Sequence, residues 1–589
     1  MQNSVYFQNN PVAERMSRSK FPLSHKWSGT FNTGYLIPIW SYGDVLPGDT
    51  FKVGGSFVLR STTPMAPVMD DAWIDIYFFF TPHKKLLSRS YMSPSVLDAN
   101  HSFDAFIGAQ DSLLNMPTPS DVVIPKFNVT LDGTDGSFAD DFAHSLVDYL
   151  GLSMEGVLID DPTKYKQTYD ISCLEPLAYY AVWNEWFRDP STMNPVVFSV
   201  SSGYVQLSRD GTNFGIESTD SILPVCRFHG YFGSALPWPQ RGASVQLPLG
   251  DVAPVFTGDQ HLTTYTDSNK APLKFADPAN NGVVKNRNLM VGANAQLTSG
   301  STATESGFGN LAPTNLWVDL SEAVAASVNN LRSNIAAQRW LEALARGGNR
   351  IGEITNTMFG VTPHDYADDR PEYLGGSKIR IGMTQVNNTA GTNVSTSTQQ
   401  SIGSTGAFSL TTDSRPYFVK SFDTWGTITS VCCVRVGDTF SQGIPRRYQR
   451  FKRLDLYWPQ FAHIGEQPIL NKEIYYNGKV GDADQAAIDN GVFGYQEAWA
   501  EYRFENDIVC GFARPGAGYD YFNYSNRFTG SAPLLKTYLD ASHQIANVDR
   551  TLQVSSQTAG FQWLLNFYFD VETTRVMPLY SYPGLMDHY

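Results

Sequence analysis

The chain of 589 residues is short of charge, of cysteine and of long apolar runs. Charged residues make up 17%, against about 25% in a typical soluble domain. With aromatics at 13%, disorder over the whole length is excluded, because a disordered chain needs high charge and few aromatics. Cations are the scarcer sign, 43 Lys and Arg against 57 Asp and Glu, for a net charge of −14. The chain is therefore no general nucleic-acid binder. The five cysteines, Cys173, Cys226, Cys432, Cys433 and Cys510, are odd in number and form no CxxC pair. They read as reduced thiols packed as small hydrophobes, with no disulfide framework. No apolar run approaches the roughly 18 residues that span a bilayer. The opening MQNSVYFQNNPVAERMSRSK lacks an apolar stretch of the signal-peptide kind, so secretion is not expected. The N-x-S/T matches, Asn128-Val-Thr130 among them, then read as chance.

Catalytic signatures are also missing. There is no HExxH, no GxSxG and no Walker motif. Gly511-Phe-Ala-Arg-Pro-Gly-Ala-Gly518 lacks the Lys and Ser/Thr that reach phosphate and magnesium, and reads as a Pro/Gly turn. Asp132-Gly-Thr-Asp-Gly136 lacks the alternating oxygens and closing Glu of a calcium loop. The acidic pairs Asp70-Asp71, Asp140-Asp141, Asp160-Asp161 and Asp368-Asp369 suit turns at least as well as acid–base work. The ten histidines show no metal-ligand spacing. No catalytic residue, cofactor site or metal site is expected.

What is present is aromatic, glycine-rich and proline-rich: 36 Phe, 30 Tyr, 48 Gly and 33 Pro. That mixture favours short strands and many turns. Phe51–Val53 and Ser56–Arg60 read as two strands broken by Gly54-Gly55. In Ala72–Phe80, Ile74, Ile76, Phe78 and Phe80 share one face, and Trp73, Tyr77 and Phe79 the other, with Asp75 alone polar. A strand apolar on both faces needs two covers: a second sheet, and an inserted domain or another subunit. Phe561, Trp563, Leu565, Phe567 and Phe569 alternate on one face near the C-terminus, and Glu497–Glu505 is a further strand candidate. Strong strands at both ends suit one sandwich closed by its terminal strands.

Helices are expected over Leu174–Arg188, with Pro176 in its first turn, and over about Leu320–Arg346. The second has a capping-box-like Asp319/Glu322 start and a Gly347-Gly348 end. Residues 255–312 and the low-complexity 385–412 read as surface excursions. One cluster carries binding chemistry. Arg446, Arg447, Arg450, Lys452 and Arg453 surround two aromatics, the composition that grips phosphate and stacks bases. Strand-edge or subunit-contact arginines paired with the abundant acids are the competing reading. Arg15, Arg18, Lys20 and Lys26 form a thinner basic arm.

Several segments resemble the major capsid proteins of the Microviridae, and among them the gokushovirus group. They include Phe21-Pro-Leu-Ser-His25, Val45-Leu-Pro-Gly-Asp-Thr50, Trp183-Asn-Glu-Trp-Phe-Arg-Asp189 and Tyr231-Phe-Gly-Ser-Ala-Leu-Pro-Trp-Pro-Gln240. Arg370-Pro-Glu-Tyr-Leu-Gly-Gly376, Tyr457-Trp-Pro-Gln-Phe461, Phe493-Gly-Tyr-Gln-Glu-Ala-Trp-Ala-Glu-Tyr-Arg503 and Pro583-Gly-Leu-Met-Asp-His588 complete a likeness spread over nearly the whole chain. The resemblance implies one all-β domain over 1–589, an eight-stranded viral jelly roll with long loop insertions containing a few helices. It implies pentamers, and sixty copies in a T=1 icosahedral virion shell around circular single-stranded DNA. An internal scaffolding protein would serve during assembly in the bacterial cytoplasm. It also implies an insertion between the fourth and fifth strands of the roll, placed at 255–312, that protrudes at the threefold axis. That protrusion would meet a host cell-surface receptor, a glycan among the candidates. Sixty copies at −14 each give about −840, which cannot neutralise a genome, so a small basic DNA-binding protein or polyamines are expected with the DNA. The competing functions are a carbohydrate-binding or glycan-hydrolysing β-sandwich and, against the missing secretion signal, a surface-layer protein or adhesin.

Overall fold

The computed structural model describes residues 17–87, 124–132, 144–152, 166–245, 328–364, 370–387, 405–478 and 483–580, with short strand segments and single positions between 255 and 403. Its centre is a pair of antiparallel sheets. The strands are β1 (Ser19–Pro22), β2 (His25–Phe31), β3 (Ile37–Val45), β4 (Thr50–Ser61), β5 (Ala72–Pro82), β6 (Glu372–Arg380), β7 (Thr411–Ser421), β8 (Gly426–Val436) and β9 (Trp563–Arg575). One sheet runs β1/β2–β9–β4–β7 and the other β3–β8–β5–β6. With β1 and β2 counted as one interrupted strand, the neighbours are first–eighth–third–sixth and second–seventh–fourth–fifth. That is the double Greek-key order of a jelly roll.

The pattern of β9 explains its place. Trp563, Leu565, Phe567, Phe569 and Val571 are buried, while Leu564, Asn566, Tyr568 and Asp570 are exposed. The period of two aims one row at the opposite sheet. Phe569 meets Phe78 of β5 edge-on at 6.3 Å, and Phe567 stacks on Phe57 of β4 at 5.9 Å. Burying each such ring stabilises the fold by about 1.5–3 kcal/mol.

Gly54 and Gly55 do not break a strand, as the sequence suggests; both lie inside a continuous β4. A Cβ on Gly55 would stand 2.5 Å from the Phe567 ring. The missing side chain is the space that ring occupies.

β5 is buried on both faces, and its second cover comes from the same chain. Helix α1 (Leu174–Val182) continues into one wider turn, Trp183–Phe187. Trp186 and Phe187 pack on Phe79 at 5.3 and 6.0 Å, and Phe187 on Tyr77 at 5.4 Å. α1 is held by its own buried polar tips. Tyr179 donates to Leu36 O, Tyr180 to Ser221 O and Trp183 to Pro224 O, at 2.7–3.1 Å. A smaller sheet beside it contains Lys126–Asp132, Lys166–Ser172, Val197–Ser201, Tyr204–Arg209 and Thr212–Phe214.

The connection from β5 to β6 spans residues 83–371. The chain forms two compact units, Gln240–Glu342 being one and the remainder the other. The smaller unit includes the antiparallel pairs Val255–Thr257 with Leu316–Val318 and Asn288–Val291 with Leu297–Gly300, and most of helix α2 (Val328–Arg346). The expected start of α2 near Asp319 lies outside the described residues. Helix α3 (Ile351–Phe359) follows, after a turn at Gly348. Stretch 385–412 is not loop throughout. Met383–Asn387 pairs with Thr405–Ser409 as a ribbon, and β7 begins at Thr411.

Glu497–Glu505 is not a strand either. Val492–Glu497 pairs with Glu466–Leu470, then Trp499 turns left-handed (φ +66°) and Ala500–Tyr502 coils into a tight turn. The indole of Trp499 donates to Phe461 O at 2.9 Å. That bond fixes the reversal, and alternating polarity alone could not reveal it.

Candidate subunit-contact surface

Residues 445–464 hold the basic cluster and contain no strand, only the tight turns Arg446–Gln449, Arg453–Asp455 and Pro459–Phe461. Side chains replace a ladder in fixing them. Asp455 accepts from the backbone of Phe451 at 2.9 Å and Lys452 at 2.7 Å. Trp458 donates to Arg453 O at 3.1 Å, and the Tyr457 amide to the Tyr502 hydroxyl at 3.2 Å. Tyr457, Trp499 and Tyr502 form a ring triad at 5.8–6.3 Å.

The arginines turn inward to carboxylates. Arg446 donates to Pro468 O at 2.7 Å and lies 3.4 Å from Glu473 and 3.9 Å from Glu501. Arg450 meets Glu501 at 3.4 Å, with its guanidinium 4.1 Å above the Tyr502 ring. Arg447 pairs with Glu505 at 2.5 Å. Glu473 and Glu501 are nearly buried. Burial pushes the Glu473 carboxyl above its ordinary range, against the Leu470 amide and Arg446, which pull it down. These contacts favour the competing reading of the cluster, arginines paired with the chain's own acids. The partners Glu473 and Glu505 were not singled out in the sequence, since nothing local ties either to Arg446 or Arg447.

The remaining candidates are scattered. Lys452 and Arg453 are exposed and, among the described residues, have no carboxylate in ion-pair reach. Lys20 pairs with Glu572 at 2.6 Å. Arg18 and Lys26 are exposed, and Arg15 lies outside the described residues. No hydrogen bond or ion pair between described residues joins this arm to the 446–453 cluster.

Around the paired arginines the surface is apolar. Phe451 is 86% exposed, Phe512 75% and Tyr448 66%, and Leu454, Leu456, Trp458, Phe461, Ile464, Phe504 and Ile508 are also exposed. A soluble monomer rarely presents a contiguous apolar patch of more than a few hundred Å². Beside it opens a cleft of about 340 Å³, lined by Tyr231, Phe440, Tyr448, Phe504, Cys510 and Arg514 among others. Of the other sequence candidates, Asp70 ties loops together. Its carboxylate accepts from the Tyr524 amide at 3.0 Å and the Thr439 hydroxyl at 3.3 Å. Asp140-Asp141, Asp160-Asp161, Asp368-Asp369 and Gly133–Gly136 lie outside the described residues. Among the described residues no three His, Cys, Asp or Glu gather as a metal site, and no helix is long and apolar enough to cross a membrane. Cys173, Cys432 and Cys433 are buried, Cys226 is half-buried and Cys510 is exposed, all as free thiols.

A jelly roll that carries an aromatic surface of this extent presents a protein-contact face, as the subunit of an assembly does. Residues 11–585 match the family described as Capsid protein (F protein), and the chain belongs to that family. The capsid protein VP1 of Chlamydia phage 1 is 30% identical, over 98% of this chain and 97% of that protein. Capsid proteins VP1 of Bdellovibrio phage phiMH2K and Spiroplasma virus 4 are each 31% identical, over 96% of this chain and 95% of theirs. The chain is thus a structural protein of a Microviridae virion, of the gokushovirus group, and self-assembles into a capsid. The family is structural and not enzymatic.

Proposed function

We propose that sixty copies close, through pentamers, into a T=1 shell around circular single-stranded DNA, assembled in the bacterial cytoplasm with an internal scaffolding protein. The observation that carries this reading is the exposed aromatic surface on a jelly-roll body. Shell contacts are individually modest and multiplied by closed symmetry. The whole chain serves as one jelly-roll domain with insertions. Residues 255–312, inside the long β5–β6 connection, form the threefold protrusion that meets the host receptor, with a glycan as the first candidate ligand. Phosphate contact falls to cations without an intramolecular carboxylate among the described residues, Arg18 and Lys26 first. A small basic protein or polyamines supply the rest of the neutralising charge.

Replacing residues 260–310 by a short Gly/Ser linker tests the division of labour. Particles should still form and host attachment should be lost. Attachment that survives removes the protrusion from the receptor role. Packaged particles free of both a basic protein and polyamines would refute the charge argument.

A further inference from the structure

We propose that the aromatic surface of residues 445–464 and 497–514 is self-complementary and docks on the same surface of a second copy about a twofold axis, with Phe451 of each copy entering the cleft of the other. The inference rests on the shell reading above and specifies one of its contacts.

Three observations carry it. The first is area. Eight exposed aromatics in these segments, Tyr448 to Phe512, leave roughly 900 Å² of ring surface open, taking about 200 Å² for each whole side chain. A stable interface buries about 800 Å² on each partner. The second is charge. Residues 445–464, 497–514 and Glu473 hold seven cations and six carboxylates, and Arg446, Arg447 and Arg450 are already paired within the chain. A patch apposed to its own copy repels itself unless it is neutral, and this one is nearly so, on a chain of −14. Single-stranded DNA would ask for the opposite, a clear excess of cations over carboxylates.

The third observation is shape. The projecting Phe451, 86% exposed, and the cleft of about 340 Å³ belong to one patch, since Arg446, Arg447 and Tyr448 line that cleft. An isologous contact needs protrusion and socket side by side on one surface, whereas a head-to-tail ring needs them on different flanks. A cavity of about 150 Å³ already holds benzene, so a phenyl group fits with room for the rim. Aromatic anchors in such pockets dominate interface energetics.

Native Cys510 lines the cleft and makes the test direct. Particles of the full chain carrying Phe451→Cys are oxidised in air with copper–phenanthroline and run on a non-reducing gel. The expected product is a thiol-reversible band at twice the chain mass and nothing larger, lost when Cys510→Ser is added. A ladder above the dimer overturns the twofold arrangement. A dimer that persists without Cys510 means the two introduced thiols face each other, and overturns the cleft as the socket. Monomer alone in intact particles overturns the docking while leaving the shell reading in place. As a second variant, Phe451→Asp should cut the assembled fraction at least tenfold with subunit melting unchanged, and undiminished assembly overturns the proposal. Absence of particles or oligomers from the unmodified chain overturns the shell reading, and this inference with it.

Discussion

Removing Asp75 should destabilise the subunit out of proportion to the size of its side chain. Asp75 is the one charged residue of β5 and is fully buried. One carboxylate oxygen accepts both from Nε of Arg435, at 3.0 Å, and from its Nη2. Arg435 comes from the neighbouring β8, is itself largely buried, and otherwise meets neutral groups, among them Cys226 O at 3.3 Å, the Tyr77 hydroxyl at 3.4 Å, the Phe228 ring at 4.3 Å and the Cys433 thiol. Asp75→Ala therefore strands a guanidinium in the interior. Breaking a buried pair from one side costs about 3–5 kcal/mol, a large share of the roughly 5–15 kcal/mol that holds a domain together. Replacing both partners, Asp75→Leu with Arg435→Met, removes the stranded charge and should recover most of that loss. Urea denaturation of the unassembled subunit, followed by tryptophan fluorescence, measures each term. A single variant within about 1 kcal/mol of wild type, or a double variant no better than the single, would refute the reasoning.

Three further outcomes follow from the same interior. Gly55→Ala drives a methyl group into the Phe567 ring and should cost about 1–3 kcal/mol; an unchanged urea midpoint would show that the ring has room to move. His83 is buried beside Thr427, 3.1 Å from its hydroxyl, and burial lowers its pKa from 6.5 to about 4. Its neutral form is the folded one, so its contribution, of order 3 kcal/mol, is complete above about pH 6.5 and lost as pH falls toward 4. His83→Gln should flatten that part of the stability–pH curve, and an equally steep curve in the variant contradicts the assignment. Burial pushes the thiols of Cys173, Cys226 and Cys433 up to about 12. Iodoacetamide at pH 8 should therefore modify Cys510 alone in the folded subunit, and mass spectrometry finding any of those three alkylated first would contradict the packing.

What the sequence made legible was local periodicity. The alternation of β9 and the double-faced apolarity of β5 follow from side-chain order along a strand, and both strands stand where the pattern puts them. The second cover of β5 was foreseen as a need. Its source was not, because Trp186 and Phe187 lie about a hundred residues away and are brought back by the hydrogen bonds of α1. Gly54-Gly55 read as a break because a glycine pair usually marks a turn; only the facing Phe567, some 500 residues later, gives Gly55 its use. The basic cluster was the least legible feature. Composition cannot say whether an arginine faces solvent or a carboxylate, and Glu473, Glu501 and Glu505 decide it. Trp499 shows the same limit for strands, since one left-handed residue ends an alternating pattern that its polarity would continue.

The central claim is that this chain exists to close on copies of itself. Sedimentation velocity of the purified protein, with negative-stain microscopy of every fast fraction, tests it most directly. Closed shells, or a discrete pentamer at five times the chain mass, are the predicted result. A monomer that stays monomeric at every concentration, with its aromatic surface open to water, would contradict it.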